Sequence, residues 1–302
     1  MKPINNPTYR ILSTLLSLLL LAGCAPDDTS VDAQLDKFVI ALEPDKDPEA
    51  MLKDRKAIEA YLSKSTAKPV EAIVPISSAV IYEGLKNGSV DIAYLSSTAA
   101  ARLVETGDID ILLADLIDGK PSYESYWIGR KDAPYDSVAD LAGKPIAFSS
   151  RTSTSGFLIP TWDLYKKGLI DLESGPAGFF GEDNVFYGVG YVSAAERVLD
   201  GTAEAAAVSY YVLDKDKHLS AEQRAQLKVI DTQGPVPSHV IVIRNAINEA
   251  DRDTLRTAFL DMNTEATELR DRIFGAPLTP TTAQEHLKNT LEALELMRTM
   301  RF

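Results

Sequence analysis

The chain has 302 residues, of which 45% are hydrophobic and 25% charged, and its net charge is −13. This composition supports a large buried core, and the length suits one large or two medium domains. The acidic balance excludes binding to nucleic acid or anionic lipid through a basic surface. It does not exclude a small anionic ligand, because a closed cleft is governed by its local dipoles.

The first residues read as a targeting segment. Lys2 and Arg10 are positive, and Ile11 to Ala22 is an apolar stretch of 12 residues. That is too short to span a bilayer and suits the core of an export signal. Leu21-Ala22-Gly23-Cys24 follows and resembles the lipobox of bacterial lipoproteins. The resemblance implies cleavage before Cys24 and a lipid on that residue. Cys24 is the sole cysteine, which excludes an intrachain disulfide. Removing residues 1–23 takes the charge from −13 to −15. Residues 24–35 are small and polar and read as a tether. The expected product is exported and anchored to a membrane surface in the cell envelope without spanning it.

Beyond the tether, strand-like and helix-like segments alternate. Phe38 to Leu42 reads as a buried strand. Pro48 to Leu62 has helical periodicity, with Asp47 as N-cap and Pro48 in the first helical position. Val70 to Val74 predicts a strand, Ser78 to Lys86 a helix, Val90 to Leu95 a strand and Thr98 to Glu105 a helix. Ile109 to Ile117 and Tyr123 to Arg130 are extended runs. A short helix near Ser137 to Leu141 leads to strand Lys144 to Phe148. A hydroxyl-rich run and a helix from Phe157 to Lys167 follow. Gly175 to Gly181 reads as a loop. Asn184 to Tyr187, Ala205 to Val208, Leu227 to Ile230 and Ser238 to Arg244 read as strands, and Ser193 to Leu199 as a helix. Two helices, Glu249 to Phe274 and Thr281 to Met297, close the chain. This order predicts an α/β fold with mainly parallel sheets.

One internal echo stands out. Lys86-Asn87-Gly88-Ser89-Val90-Asp91-Ile92-Ala93-Tyr94-Leu95 parallels Leu199 to Tyr210. Each has a glycine turn, an acidic residue, a small-residue strand, then tyrosine and serine. Two similar lobes are expected, with Tyr94, Ser209 and Tyr210 at carboxyl ends of strands, where α/β sheets bind ligands.

Enzyme signatures are scarce: H-E-x-x-H, G-x-S-x-G and the phosphate-loop motifs are absent from the sequence. His218, His239 and His286 lack metal-ligand spacing, and His218 and His286 read as solvated. An enzyme reading would need Ser153 or Ser155 as nucleophile and His239 as base. Two helix starts carry more information. One holds Tyr94, Ser96, Ser97 and Thr98. The other is Thr152-Ser153-Thr154-Ser155-Gly156, which closes a run where six of the eight residues from Ser149 to Gly156 bear hydroxyls. An ordinary N-cap explains one hydroxyl per helix. Several hydroxyls around free helix N–H groups suit an oxyanion. Arg151 precedes this loop and reads as solvent-facing.

At these residues the chain resembles the phosphonate, phosphite and phosphate substrate-binding proteins of bacterial ABC transporters. The likeness rests on Asn87 to Leu95, Asp140 to Phe148, Ser153-Thr154-Ser155-Gly156-Phe157-Leu158-Ile159-Pro160 and Gly201 to Tyr211, and covers roughly residues 37 to 275. It implies a two-lobed type II periplasmic-binding-protein fold and no catalysis. Lobe one is expected at 36–127 plus 240–302 and lobe two at 128–239, with crossings near 126–130 and 238–244. The resemblance implies that Thr152, Ser153, Thr154 and Ser155 hold phosphorus oxygens and that Tyr94 lines the pocket, with Ser96, Ser97 and Thr98 after it. Ser78 stands where the family often has tyrosine. Around Tyr191, Ser209 and Tyr210, hydroxyls replace the acids that hold an amine in aminophosphonate binders. An unpaired ammonium is costly to bury, so phosphate, phosphite or a simple phosphonate is favoured. The implied partners are an ABC permease with its ATPase. A monomer without metal or cofactor is expected. The alternatives are a sulfonate, nitrate or thiamine-precursor binder, or a sensing subunit for a membrane kinase.

Overall fold

The computed structural model describes residues 34–42, 48–215 and 218–302. The export segment, Cys24 and the Asp47 cap lie outside the described residues. The first half comprises β1 (Phe38–Leu42), α1 (Pro48–Thr66), β2 (Val70–Ile73), α2 (Ser78–Asn87), β3 (Ile92–Leu95), α3 (Ser97–Glu105), β4 (Ile109–Asp115) and β5 (Ser122–Arg130). Next come β6 (Ile146–Phe148), α4 (Ile159–Lys166), α5 (Gly175–Phe180), β7 (Val185–Tyr187), α6 (Tyr191–Leu199), β8 (Ala205–Ser209), α7 (Tyr211–Asp214) and α8 (Ala221–Ala225). The chain ends with β9 (Leu227–Pro237), β10 (Val240–Arg244), α9 (Glu249–Glu265), α10 (Thr267–Ile273), β11 (Leu278–Pro280), α11 (Ala283–His286) and α12 (Lys288–Thr299).

The strands form two sheets, ordered β11-β4-β10-β3-β1-β2 and β7-β6-β8-β5-β9. Each sheet is mixed, which corrects the expectation of mainly parallel sheets. β1, β2 and β3 run parallel, as do β6, β7 and β8, but β10 and β5 run antiparallel to their neighbours. The physical reason is the crossing. β5 and β10 each enter one sheet from the other lobe, so they run against the strands already there. β5 pairs along its whole length in the second sheet, so the expected lobe boundary at residue 127 falls inside a strand. The two chain crossings are residues 116–121 and 238–239.

Helices cover both faces of each sheet, so the parallel strands read as continuous apolar runs. In β8, Ala205 and Ala207 face the Trp127–Phe148–Phe180 cluster, while Ala206 and Val208 face Ala194, Ala195 and Val198 of α6. Small side chains there admit large ring systems on one side and a close helix on the other. The final helix straddles the lobes. Leu296 and Met297 each pack against a core of the first lobe and a core of the second.

The sequence echo has a structural counterpart. Gly88 and Gly201 take left-handed turns at φ +82° and +81°, conformations that favour glycine. The acid after each turn pairs with the arginine that ends a crossing strand. Arg244 Nη2 donates to Asp91 Oδ1 at 2.6 Å, and Arg130 Nη2 to Glu204 Oε2 at 3.1 Å. Asp91 Oδ2 also accepts from Val39 N–H at 2.8 Å. The repeated acid is therefore a structural clamp between neighbouring strands.

Four expectations are corrected. Residues 175–181 are mostly helix, because Pro176 occupies the first turn and presets its φ. The first closing helix breaks at Ala266, whose φ −142° and ψ 45° leave the helical region. The second is preceded by β11 and split at Leu287. His286 is buried, not solvated, with Nε2 2.9 Å from Ser238 O; burial lowers its pKa.

Candidate ligand-binding site

The carboxyl ends of β3 and β6 deliver two helix starts to the gap between the sheets. At the first, Ser96 acts as the ordinary cap, its Oγ accepting from Ala99 N–H at 3.4 Å. Ser97 and Thr98 are therefore spare hydroxyls, and both are buried. At the second, Ser153 is the cap, its Oγ accepting from Gly156 N–H at 2.9 Å. Thr154 to Leu158 then form a single π-turn before α4, a wide turn of the kind found at functional sites. Ser149 Oγ donates to Ala207 O at 2.6 Å beneath this turn. A Cβ on Gly156 would collide with the Ser149 side chain, so the hydroxyl run must end in glycine.

The two helix starts meet across the lobes. Thr154 Oγ1 lies 2.8 Å from Thr98 Oγ1, accepts from Thr98 N–H at 3.3 Å, and is 3.4 Å from Ser97 Oγ. Ser97 Oγ also donates to Pro237 O at 3.0 Å. Behind this contact, Ser155 Oγ is 2.7 Å from Tyr191 Oη and 3.3 Å from Tyr123 Oη. Tyr191 Oη accepts from Ser153 Oγ at 3.2 Å. Ser125 Oγ donates to the Ser155 carbonyl and accepts from Gln233 Nε2 at 3.0 Å. Burial raises the pKa of Tyr123 and of Tyr211, and nearby Tyr191 adds to both shifts. These phenols are neutral donors at physiological pH. A cluster of neutral O–H and N–H donors at helix N-termini recognises an oxyanion without a formal counter-charge.

The expected site residues divide. Ser97, Thr98, Ser153, Thr154, Ser155 and Tyr191 come together. Ser96 serves its own helix. Thr152 is exposed, and its Oγ1 is 3.3 Å from Ser150 Oγ, outside the cluster. Ser78 opens α2 at the carboxyl end of the edge strand β2. Tyr210 packs its ring on Tyr123 at 5.6 Å. Ser209 is fully buried, beside the Tyr211 phenol. Arg151 is not simply solvent-facing: its guanidinium lies over the Tyr187 ring at 3.8 Å.

Tyr94 points at a residue the sequence reading missed. Its Oη is 2.5 Å from Asp115 Oδ2 and donates to Phe274 O at 3.1 Å, while its ring stacks on His239 at 5.3 Å. Asp115 is 2% exposed, and its Oδ1 has no hydrogen-bond partner among the described residues. Burial pushes its carboxyl up to about 8, against a smaller opposing effect of Tyr94. Tyr123, Ser125 and Gln233 were also missed. The signal was present in Ser122 to Arg130, where alternation puts Tyr123, Ser125 and Trp127 on one face. In register, Ser209, Ser125 and Gln233 form a polar row across the second sheet. Such a row amid an apolar core requires a reason beyond packing.

Two α/β lobes joined by two crossings, with two helix N-termini meeting through their hydroxyls, define a two-lobed solute receptor. Residues 40–286 match the model of the ABC transporter phosphonate periplasmic substrate-binding protein family, and the chain belongs to that family. It is 26% identical to the phosphate-import protein PhnD of Mycolicibacterium smegmatis over 260 residues, 83% of this chain and 81% of that one. XAC2383 from Xanthomonas citri, solved with chloride, shares the fold at TM-score 0.75 and 20% identity, over 87% of this chain and 99% of that one. PhnD1 from Prochlorococcus marinus, solved with methylphosphonate, shares it at TM-score 0.70 and 16% identity, over 88% and 99%. The fold is thus the type II periplasmic-binding-protein fold. The chain is an extracytoplasmic binding subunit of an ABC importer, not an enzyme. Consistent with this, Ser153 and Ser155 engage Tyr191 and Tyr123 while His239 stacks on Tyr94.

Proposed function

We propose that this protein captures a phosphorus oxyanion, namely phosphate, phosphite or a simple phosphonate, between its lobes and presents it to a permease driven by an ATPase. The observation that carries this reading is the meeting of Thr98 and Thr154 at 2.8 Å. Each residue belongs to a helix N-terminus on a different sheet, so a ligand held by both closes the hinge. The names of the mycobacterial and cyanobacterial proteins, with phosphate import and methylphosphonate respectively, support the ligand class. Calorimetry with phosphate, phosphite, methylphosphonate and 2-aminoethylphosphonate tests it. At least one of the first three binds tightly, and failure of all four overturns the reading.

The second part of the proposal is a lipid anchor on Cys24, which rests on Leu21-Ala22-Gly23-Cys24. Cells expressing the full chain should incorporate labelled palmitate into it, and Cys24→Ala should abolish incorporation. Equal labelling of the variant would overturn the anchor.

A further inference from the structure

We propose that Asp115 is a specificity-determining ligand contact: its Oδ1 accepts a hydrogen bond from the acidic P–OH of a monoprotonated phosphorus ligand. This inference rests on the phosphorus-oxyanion reading above.

The argument starts from position. β4 is antiparallel to β10, which is antiparallel to β3, so β4 ends on the same side of the sheet as β3. Asp115 is its last residue and borders the first crossing. Ser97 donates to Pro237 O, and the adjoining Ser238 donates to Asp115 O at 2.7 Å. Asp115 is thus joined to the helix-start cluster through two consecutive residues of the second crossing. Asp115 also lies near Tyr123, the phenol that reaches Ser155.

Tyr94 Oη is within hydrogen-bond reach of both Asp115 Oδ2 and Phe274 O, and a protonated Asp115 satisfies both. Tyr94 Oη has one proton, and Phe274 O at 3.1 Å can only accept. If Asp115 carries the proton, Oδ2–H donates to Tyr94 Oη and Tyr94 donates onward, so every group is used. Among the described residues, the groups near the pair include His239 of the second crossing, stacked on Tyr94, and Tyr123 of β5, and no cation pairs with Asp115. Oδ1 is then a carbonyl-type acceptor with no donor among the described residues. A buried acceptor of this kind costs free energy until a donor reaches it. A phosphonate or phosphate monoanion brings such a donor, and a sulfonate of the same shape does not. The contact transfers no proton.

The test compares methylphosphonate, methanesulfonate and 2-aminoethylphosphonate by calorimetry at pH 6 on the full folded domain, with thermal melts as the folding control. Asp115→Asn keeps an acceptor oxygen and a donor to Tyr94, and should bind methylphosphonate within about threefold of wild type. Asp115→Leu should lose about tenfold or more for methylphosphonate and leave methanesulfonate unchanged. Equal losses for both ligands, or no loss in a folded Asp115→Leu protein, would overturn the assignment. A loss confined to 2-aminoethylphosphonate would make the donor an ammonium and overturn it too. Wild type that binds no phosphorus ligand would instead overturn the proposed function, and this inference with it.

Discussion

Thr154→Val should weaken binding of the preferred phosphorus ligand by about ten- to a hundredfold, because a hydrogen bond to a charged group contributes about 1.5–3 kcal/mol. The substitution keeps the β-branched shape and removes one hydroxyl. Thr154 is buried in the second helix start, and its Oγ1 touches Thr98 Oγ1, Thr98 N and Ser97 Oγ of the other lobe. It is therefore the side chain through which both lobes would grip one oxyanion. Thr154→Ser keeps the hydroxyl and should stay near wild type. Thr152→Val removes a neighbouring hydroxyl that is exposed, and should have no effect beyond the error of the titration. Calorimetry with the best ligand of the panel reads all three. A Thr154→Val protein with wild-type affinity would show that the interlobe contact is packing and not recognition.

Asp91→Ala should destabilise the first lobe by about 3 kcal/mol or more, because it leaves a buried arginine unpaired. Asp91 holds Arg244 through both Nε at 3.2 Å and Nη2 at 2.6 Å, and its other oxygen takes Val39 N–H. The side chains are 6% and 15% exposed. Its counterpart Glu204 is 26% exposed and faces Arg130 at 31%. Water screens that pair, so Glu204→Ala should cost only about 1 kcal/mol. Urea titration followed by far-ultraviolet circular dichroism measures both. Equal costs would mean that the two clamps do not differ in burial as described. Neither residue belongs to the hydroxyl cluster, so ligand affinity of the folded variants should stay close to wild type.

The repeated acid illustrates how much could be read without coordinates. The spacing of Gly88 and Asp91 against Gly201 and Glu204 reveals two related lobes, because a left-handed turn and a strand entry impose local residue choices. It does not reveal the partners. Arg244 is 153 positions from Asp91, and Arg130 precedes Glu204 on an antiparallel strand. Only the sheet order brings them together.

The candidate site divides in the same way. Hydroxyls in the first turn of a helix are legible because capping is local: Ser96 to Thr98 and Thr152 to Ser155 are placed at helix starts by position alone. Which hydroxyls face the other lobe is not local. Thr152 and Thr154 look equivalent in sequence, yet the π-turn buries one and exposes the other. Tyr94 was legible as a residue at a strand end, but its partner Asp115 comes from the next strand but one, across β10. Asp115 itself carries no motif, since an aspartate closing an apolar run reads as an ordinary turn residue.

By itself, then, the sequence determined what depends on neighbouring residues: the alternation of strands and helices, the glycine turns, the two hydroxyl-rich helix starts and the family. The tertiary structure alone decided what depends on distant ones. It set which strands run against their neighbours and where the chain crosses. It set that Thr98 meets Thr154, and that a carboxyl is buried beside Tyr94. The physical reason is range. Capping, turn geometry and periodicity act over a few residues, whereas burial and hydrogen-bond satisfaction are settled by whichever segments the sheets bring side by side.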